Sequence, residues 1–214
     1  MYCKPKKRII VGVDEVGRGA LAGPVTAAAV VIRQFSIRNF QFSLKDSKKL
    51  SPKKREEIFE ILKNSPGVEW GIGRVSEKVI DRINIFQATK LAIKRAISNL
   101  EKKLLPYFSD SNVKTREKKL TMELLIDGNF EIDLPLPQKS IIKGDEKVFL
   151  IKLASIIAKV TRDRAMVRYH KKYSQYRFDQ HKGYGTKLHF EMLKKYGPCK
   201  IHRKTFRPIR EYQK

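Results

Sequence analysis

Four carboxylates in this chain are spaced in a way that could do phosphodiester chemistry. Asp14 and Glu15 stand side by side in RIIVGVDEVGRGALAGPV, Asp127 closes ELLID, and Asp145 closes SIIKGD. Hard divalent ions such as Mg2+ prefer carboxylate oxygen, keep several waters, and bridge to phosphate oxygens. Two such ions, about 3.5–4 Å apart, can activate water and stabilise the leaving oxygen in hydrolysis. Asp127 and Asp145 are each expected where an apolar strand runs out into a turn, and open α/β sheets gather their chemistry at the carboxyl ends of strands. Adjacent strand residues point to opposite faces. Asp14 and Glu15 can therefore share one site only if their strand ends or bends, which Gly17 and Gly19 make easy. One acid pair alone is commonly structural; the two further strand-end acids tip the balance toward a metal site. Asp163, between two arginines in TRDR, reads instead as a salt-bridge partner on a helix.

The glycines after Asp14 and Glu15 offer a superficial dinucleotide fingerprint. That fingerprint requires a helix to begin at the glycines, so that its amides face the phosphate. Here Pro24 and the β-branched run VTAAAVVI follow instead. Two carboxylates beside a pyrophosphate would also repel it unless a cation lay between them.

The rest of the composition points to a polyanionic partner. With 47 Lys+Arg against 22 Asp+Glu, the 214-residue chain carries a formal charge of +25, far beyond what solubility needs. Such a balance also occurs in thermophiles, and runs such as KTREKK are commonly solvated loops. Only Cys3 and Cys199 are present, which gives neither a disulfide framework nor a zinc spacing and suits a reducing cytosol. The apolar run IIVGV is broken at once by Asp14 and has no cleavage-site pattern, and no stretch reaches the ~20 apolar residues that span a bilayer. A soluble, cytoplasmic protein is expected.

These side chains must be positioned by a mixed sheet. RIIVGVD and PVTAAAVVIR read as two strands of a hairpin, and VEWGIGRV as a third strand. Ser51 and Pro52 cap and open a helix over about residues 52–64. The segment SEKVIDRINIFQATKLAIKRAISNLEKKL is helical, with an interruption near Ile83 to Phe86, and PYFSDSNVKTREKK reads as a surface loop. LTMELLIDGN is a strand running into a turn, LPLPQKSIIKGDEK a short strand ending at Gly144 and Asp145, and VFLIKLASIIAKVTRDRAMVRYHKKY a long helix buried along its first half. The order of elements predicts an α/β fold, a mixed sheet covered by helices over residues 1–170. Residues 171–214 follow as a basic helical region. From His181 to Lys214 that region holds ten Lys/Arg against Glu191 and Glu211, part of a nucleic-acid footprint.

Taken together and in order, GVDEVGRGALAGPV, DSKKLS, IDGN, KGDEK, ASIIAKVTRDR, QHKGYGT and GPCKIHRKTF resemble ribonuclease HII, the type 2 ribonucleases H. The resemblance covers nearly the whole chain, and the ordered set is far more specific than any one piece. It implies a ribonuclease-H-like fold with a small C-terminal helical region. It implies hydrolysis of the RNA strand of RNA–DNA hybrids and cleavage 5′ to a single ribonucleotide embedded in duplex DNA, leaving a 3′-hydroxyl and a 5′-phosphate. The family's four metal-binding carboxylates match Asp14, Glu15, Asp127 and Asp145, with Mg2+ or Mn2+ as cofactor. Its glycine-arginine-glycine motif, which contacts the 2′-hydroxyl, matches Gly17, Arg18 and Gly19, and its C-terminal tyrosine matches Tyr184. Leu153 stands where many members have alanine, a difference of packing. The related type HIII enzymes usually carry an extra N-terminal domain, for which this chain leaves no room.

The physical chemistry runs the same way. A backbone without Cβ can approach a minor groove, where the 2′-hydroxyl distinguishes RNA from DNA. Tyr184, between two glycines, is expected to set its ring against the deoxyribose of the next nucleotide. Ser47, Lys48 and Lys49 are expected to contact phosphates ahead of a helix, and His202 and Arg203 to touch the nucleic-acid backbone. Partners are RNA–DNA hybrid and ribonucleotide-containing duplex; no protein partner is named by the sequence, and a monomer is expected. Two rivals predict different outcomes: a noncatalytic basic binder would be indifferent to chelator, and a nuclease for plain DNA would cut an all-DNA duplex.

Overall fold

The computed structural model of the protein describes residues 8–33, 50–108 and 121–212. Strand β1 (Arg8–Val16) pairs antiparallel with β2 (Val25–Ile32), which pairs antiparallel with β3 (Val68–Val75). On its other side β1 pairs in parallel with β4 (Thr121–Asp127), and β4 in parallel with β5 (Gln138–Ile141). The sheet order is thus β3-β2-β1-β4-β5, a hairpin meander joined to a parallel half.

Each face of the sheet has its own helices, because the strands alternate their apolar side chains between two cores. Val11, Val13, Ala27, Ala29, Leu124 and Ile126 face helix α2 (Glu77–Phe108) in one cluster. Ala28, Val30 and Val68 face α1 (Pro52–Lys63) and α4 (Phe149–Lys172) in another. Each fully buried Val, Leu or Ile stabilises the fold by about 1.5–3 kcal/mol relative to exposure. The first half of α4 is apolar on nearly all sides because it lies between the sheet and α1. Among the described residues no helix is long and apolar enough to cross a membrane.

Local chemistry accounts for most boundaries. The Ser51 hydroxyl accepts from the Lys54 amide and caps α1. The expected interruption in α2 falls at Asn84, whose backbone is left-handed in φ at 63°, and whose Oδ1 accepts from the amides of Phe86 and Gln87. Asn84 therefore caps the helix that follows it. Two expectations are corrected. Helix α2 continues through Pro106 to Phe108, so the loop begins later than its proline suggests, because a proline in the last turn removes only one hydrogen bond. Strand β5 stops at Ile141, and Asp145 lies on a one-turn helix, α3 (Gly144–Lys147), entered through Lys143 at φ 55°.

The C-terminal region packs the helices α5 (Phe178–His181), α6 (Lys187–Tyr196) and α7 (Arg207–Arg210) around Tyr176, Phe178, Leu193 and Ile209. Leu21 and Ala22, from the loop after β1, are members of that same cluster. The glycine loop is consequently held on two sides, by α4 and by the C-terminal region.

Candidate active site

The register of the parallel strands brings two of the acids together. Val13 on β1 lies beside Ile126 on β4, so Asp14 and Asp127 are the next residues along two adjacent strands, both at the carboxyl end. Because Ile126 and Val13 face α2, Asp14 and Asp127 face α4. Asp14 is 6% exposed, its Oδ1 accepts from the Glu15 amide at 2.7 Å, and Ser155 of α4 hydrogen-bonds its side chain. Asp127 Oδ1 accepts from the Gly144 amide at 2.6 Å, which ties the β4 terminus to the turn carrying Asp145. Asp145 is almost fully buried.

The sequence requires the strand to end or bend at Asp14 and Glu15, and β1 runs on past both to Val16. Its ladder with β2 continues to Val16, while its ladder with β4 stops at Val13. Glu15 therefore sits beyond the last β4 pair while still paired with β2, its side chain 10% exposed. Arg18 donates to Glu15 Oε1 at 3.2 Å, whereas Oε2 is buried with no hydrogen-bond partner among the described residues.

Burial, then the neighbouring charges of Glu15 and Asp127, hold the Asp14 carboxyl well above the ordinary aspartate range. Burial also raises Glu15, against the Arg18 guanidinium, which lowers it. Among the described residues no three Asp, Glu, His or Cys side chains converge closely enough to enclose an ion as they stand. Uncompensated carboxylates repel one another. An oxygen-only set of buried and half-buried acids, one with an oxygen unpartnered among the described residues, is nevertheless the donor chemistry that a hard divalent cation requires.

Comparison with known proteins decides the family. The ribonuclease HII family model matches residues 11–209. The ribonuclease HII of Caldicellulosiruptor bescii is 50% identical over 200 residues, covering 93% of this chain and 86% of that one. The chain belongs to the ribonuclease HII family. Among solved structures, the ribonuclease H2 of Pyrococcus horikoshii OT3 matches with 26% identity and a TM-score of 0.65, covering 95% of this chain and 96% of that one. Bst-RNase HIII in complex with Mn2+ matches in fold, at 15% identity and a TM-score of 0.73, covering 96% of this chain and 69% of that one. The chain is thus an endoribonuclease with a ribonuclease-H-like fold, and its family acts on RNA–DNA hybrids.

In this chain the glycine loop after β1 is pinned from behind by two buried arginines. Arg203 donates from Nε to Gly23 O at 3.0 Å, from Nη1 to Arg18 O at 2.8 Å and from Nη2 to Gly17 O at 2.7 Å. Arg162 donates to the carbonyls of Pro24, Ala22 and Lys182. Burial and then the Arg162 charge push Arg203 down to about 9. A Cβ on Gly17, whose φ is +90°, would meet Arg162 Nε at 2.1 Å, whereas one on Gly19 would meet nothing within 4 Å. The missing side chain at Gly17 thus makes room for the arginine beneath the loop, and the one at Gly19 leaves its outer surface open. Arg18 is exposed between them.

Tyr184 sits in the turn after α5, its ring 5.1 Å from the Arg162 guanidinium carbon and 5.5 Å from Lys159 Nζ. Its amide donates to His181 O, and its carbonyl accepts from Thr186 N. A histidine pair supports it from below. The shorter backbone contact of His202 Nδ1 is the Cys199 amide at 2.8 Å, which leaves the imidazole proton on Nε2, facing His189 Nε2 at 3.0 Å. His189 then donates from Nδ1 to Tyr184 O at 2.9 Å. Burial lowers His189 to about 3 and His202 to about 4, so both are neutral.

The expected backbone contacts at His202 and Arg203 are corrected by this arrangement. His202 is 1% exposed and Arg203 fully buried, so neither side chain faces the solvent where a duplex would lie. A histidine and an arginine near the C-terminus look like phosphate binders in sequence, but the polar atoms of His202 meet the Cys199 amide and a second histidine, and those of Arg203 meet backbone carbonyls. Ser47, Lys48 and Lys49 lie outside the described residues. Asp163 does form a salt bridge, with Lys159 one turn earlier at 2.9 Å rather than with a flanking arginine. The role of Arg162 was missed. Its signal was a cation at the centre of the buried stripe Ala158, Arg162, Met166, where helical spacing calls for an apolar residue.

Proposed function

We propose that the chain is a divalent-metal-dependent endoribonuclease that cuts 5′ to single ribonucleotides embedded in duplex DNA, as well as within longer hybrids, leaving 3′-hydroxyl and 5′-phosphate ends. Asp14, Glu15, Asp127 and Asp145 hold the cations, Mg2+ or Mn2+. The observation that carries this is the placement of Asp14, buried, and Asp127, half-buried, side by side on neighbouring parallel strands, with Glu15 and Asp145 at their flanks. Bound divalent ions there supply an activated water and neutralise charge on the leaving oxygen.

The remaining work falls to the protein's own groups. Asp127, fixed by the Gly144 amide, and Asp14, fixed by Ser155 and the Glu15 amide, present oxygens at set positions rather than as mobile side chains. The open outer surface of Gly19 lets loop backbone approach the ribose, whose 2′-hydroxyl both donates and accepts. Tyr184 sets its ring against the following deoxyribose, where an added hydroxyl clashes. The lysines and arginines hold the polyanion, and the carboxylates act on one phosphate within it. The protein works as a monomer in the cytoplasm.

The test is a duplex carrying one ribonucleotide, incubated with Mg2+, with Mg2+ and EDTA, and beside an all-DNA control. Cleavage 5′ to the ribonucleotide in the first arm alone is expected, and Asp14→Asn should retain binding while losing the product. Cutting of the all-DNA control, chelator-resistant cutting, or near-normal turnover by Asp14→Asn would reject the assignment.

A further inference from the structure

Three segments distant in sequence meet at one guanidinium. Arg162 Nε donates to Pro24 O at 2.9 Å and Nη2 to Ala22 O at 3.1 Å, both on the glycine loop, while Nη1 donates to Lys182 O at 2.9 Å, on the turn that leads to Tyr184. The loop and the turn also touch directly, since the amides of Leu21 and Ala22 both donate to Gly183 O. Arg162 is fully buried, and among the described residues its hydrogen bonds go to carbonyl oxygens and none to a carboxylate. A buried cation with only backbone acceptors is costly, and a hydrophobic residue at this point of α4 would avoid that cost. The turn it holds carries a strained residue, Lys182, left-handed at φ 52°.

We infer that Arg162 is a positioning residue for junction recognition: it fixes the separation between the glycine loop, which meets the ribose, and the turn carrying Tyr184, which meets the next sugar. The three donors of its planar fork span both segments at once, a task that a lysine ammonium on a flexible stem cannot repeat. The Tyr184 ring lies against the same guanidinium, so the side chain and its backbone are referred to one point. This inference rests on the junction activity proposed above. It adds that the preference for a ribose followed by a deoxyribose is set by α4, beneath both contacts.

A long hybrid provides an internal control. All its sugars on the cut strand are ribose, so Tyr184 meets an added hydroxyl there instead of making its deoxyribose contact, while the loop contact remains. The experiment measures kcat/KM of the full chain on an embedded ribonucleotide and on a long hybrid, for the wild type, Arg162→Lys, Tyr184→Ala and the double variant. Arg162→Lys is expected to lower the junction-to-hybrid ratio at least about tenfold, within the ~100-fold that a misplacement of about 1 Å can cost. In the Tyr184→Ala background the same substitution should leave the ratio nearly unchanged, because the group it positions is gone.

An equal fall on both substrates, or an undiminished effect of Arg162→Lys without Tyr184, would overturn the inference by showing a merely structural arginine. If Arg162→Lys does not fold, Gly183→Ala disturbs the same joint from the other side, since its Cβ would meet Ala22 O at 2.6 Å. It should lower the ratio as well, and an unchanged ratio counts against the inference. Failure of the wild type to cut at an embedded ribonucleotide would reject the junction activity itself, a result distinguishable from a normal wild type with an insensitive ratio.

Discussion

Acid should destabilise this protein through His189 and His202. Both imidazoles are neutral and buried, at about 3 and about 4, against an ordinary value near 6.5. Each has a folded value depressed below its unfolded one. Stability from each is therefore fully present above about pH 6.5 and is lost as pH falls toward the folded value, because only the unfolded chain takes up the proton. Between about pH 7 and about pH 5 this amounts to about 2 kcal/mol per histidine, and about 4 kcal/mol for the two as an upper figure, since they share one hydrogen bond. Typical domains have only ~5–15 kcal/mol in total. The surrounding groups do not obscure the effect: burial holds Tyr176 at about 12 and Cys199 at about 11, and His181 is lowered by burial in the same direction. Asp14 and Glu15, raised by burial, act with the opposite sign and gain stability as pH falls. Urea unfolding of the wild type and His189→Gln at the two pH values separates these contributions. The variant should lose about 2 kcal/mol less than the wild type on acidification. Equal losses in the two proteins would refute the reasoning.

Two further outcomes follow from the loop and the charge. Gly17→Ala should lower both thermal stability and turnover, by more than about 1 kcal/mol in stability, because the backbone is at φ +90° and the new Cβ would meet Arg162; a melting temperature equal to the wild type's would contradict the packing described. Binding of Asp14→Asn to a ribonucleotide-containing duplex should weaken along a straight log–log line as salt rises, by about −0.9 in slope per phosphate neutralised. Fluorescence anisotropy reads this slope, and salt-independent binding would remove the electrostatic footprint from the account.

Much of the fold was legible because its determinants are local. The period-2 pattern of VEWGIGRV became β3 at the expected residues, and Ser51 with Pro52 opened α1 where expected. The broken α2 was visible near Ile83 to Phe86, though not that Asn84 itself is the cap. The pairing of β1 with β4 across more than a hundred residues is a tertiary fact, so the adjacency of Asp14 and Asp127 was expected from strand-end logic and resemblance rather than from periodicity. The sequence misled at His202 and Arg203 because charge in a string of letters carries no direction. Whether an arginine faces a phosphate or a row of buried carbonyls depends on what packs over it, and here α6, α7 and the glycine loop close around the motif. Arg162 was obscured for the complementary reason, since TRDR looks like an exposed charged turn of helix while its first arginine is the one pointing inward.

The central claim is that acids from separate strands share divalent cations. Titrating the protein with Mn2+ and following the loss of free-ion paramagnetic resonance signal tests it without any substrate. The wild type should take up Mn2+, while Asp14→Asn and Asp127→Asn, each still folded by circular dichroism, should bind it more weakly. Equal uptake by all three proteins would contradict the claim.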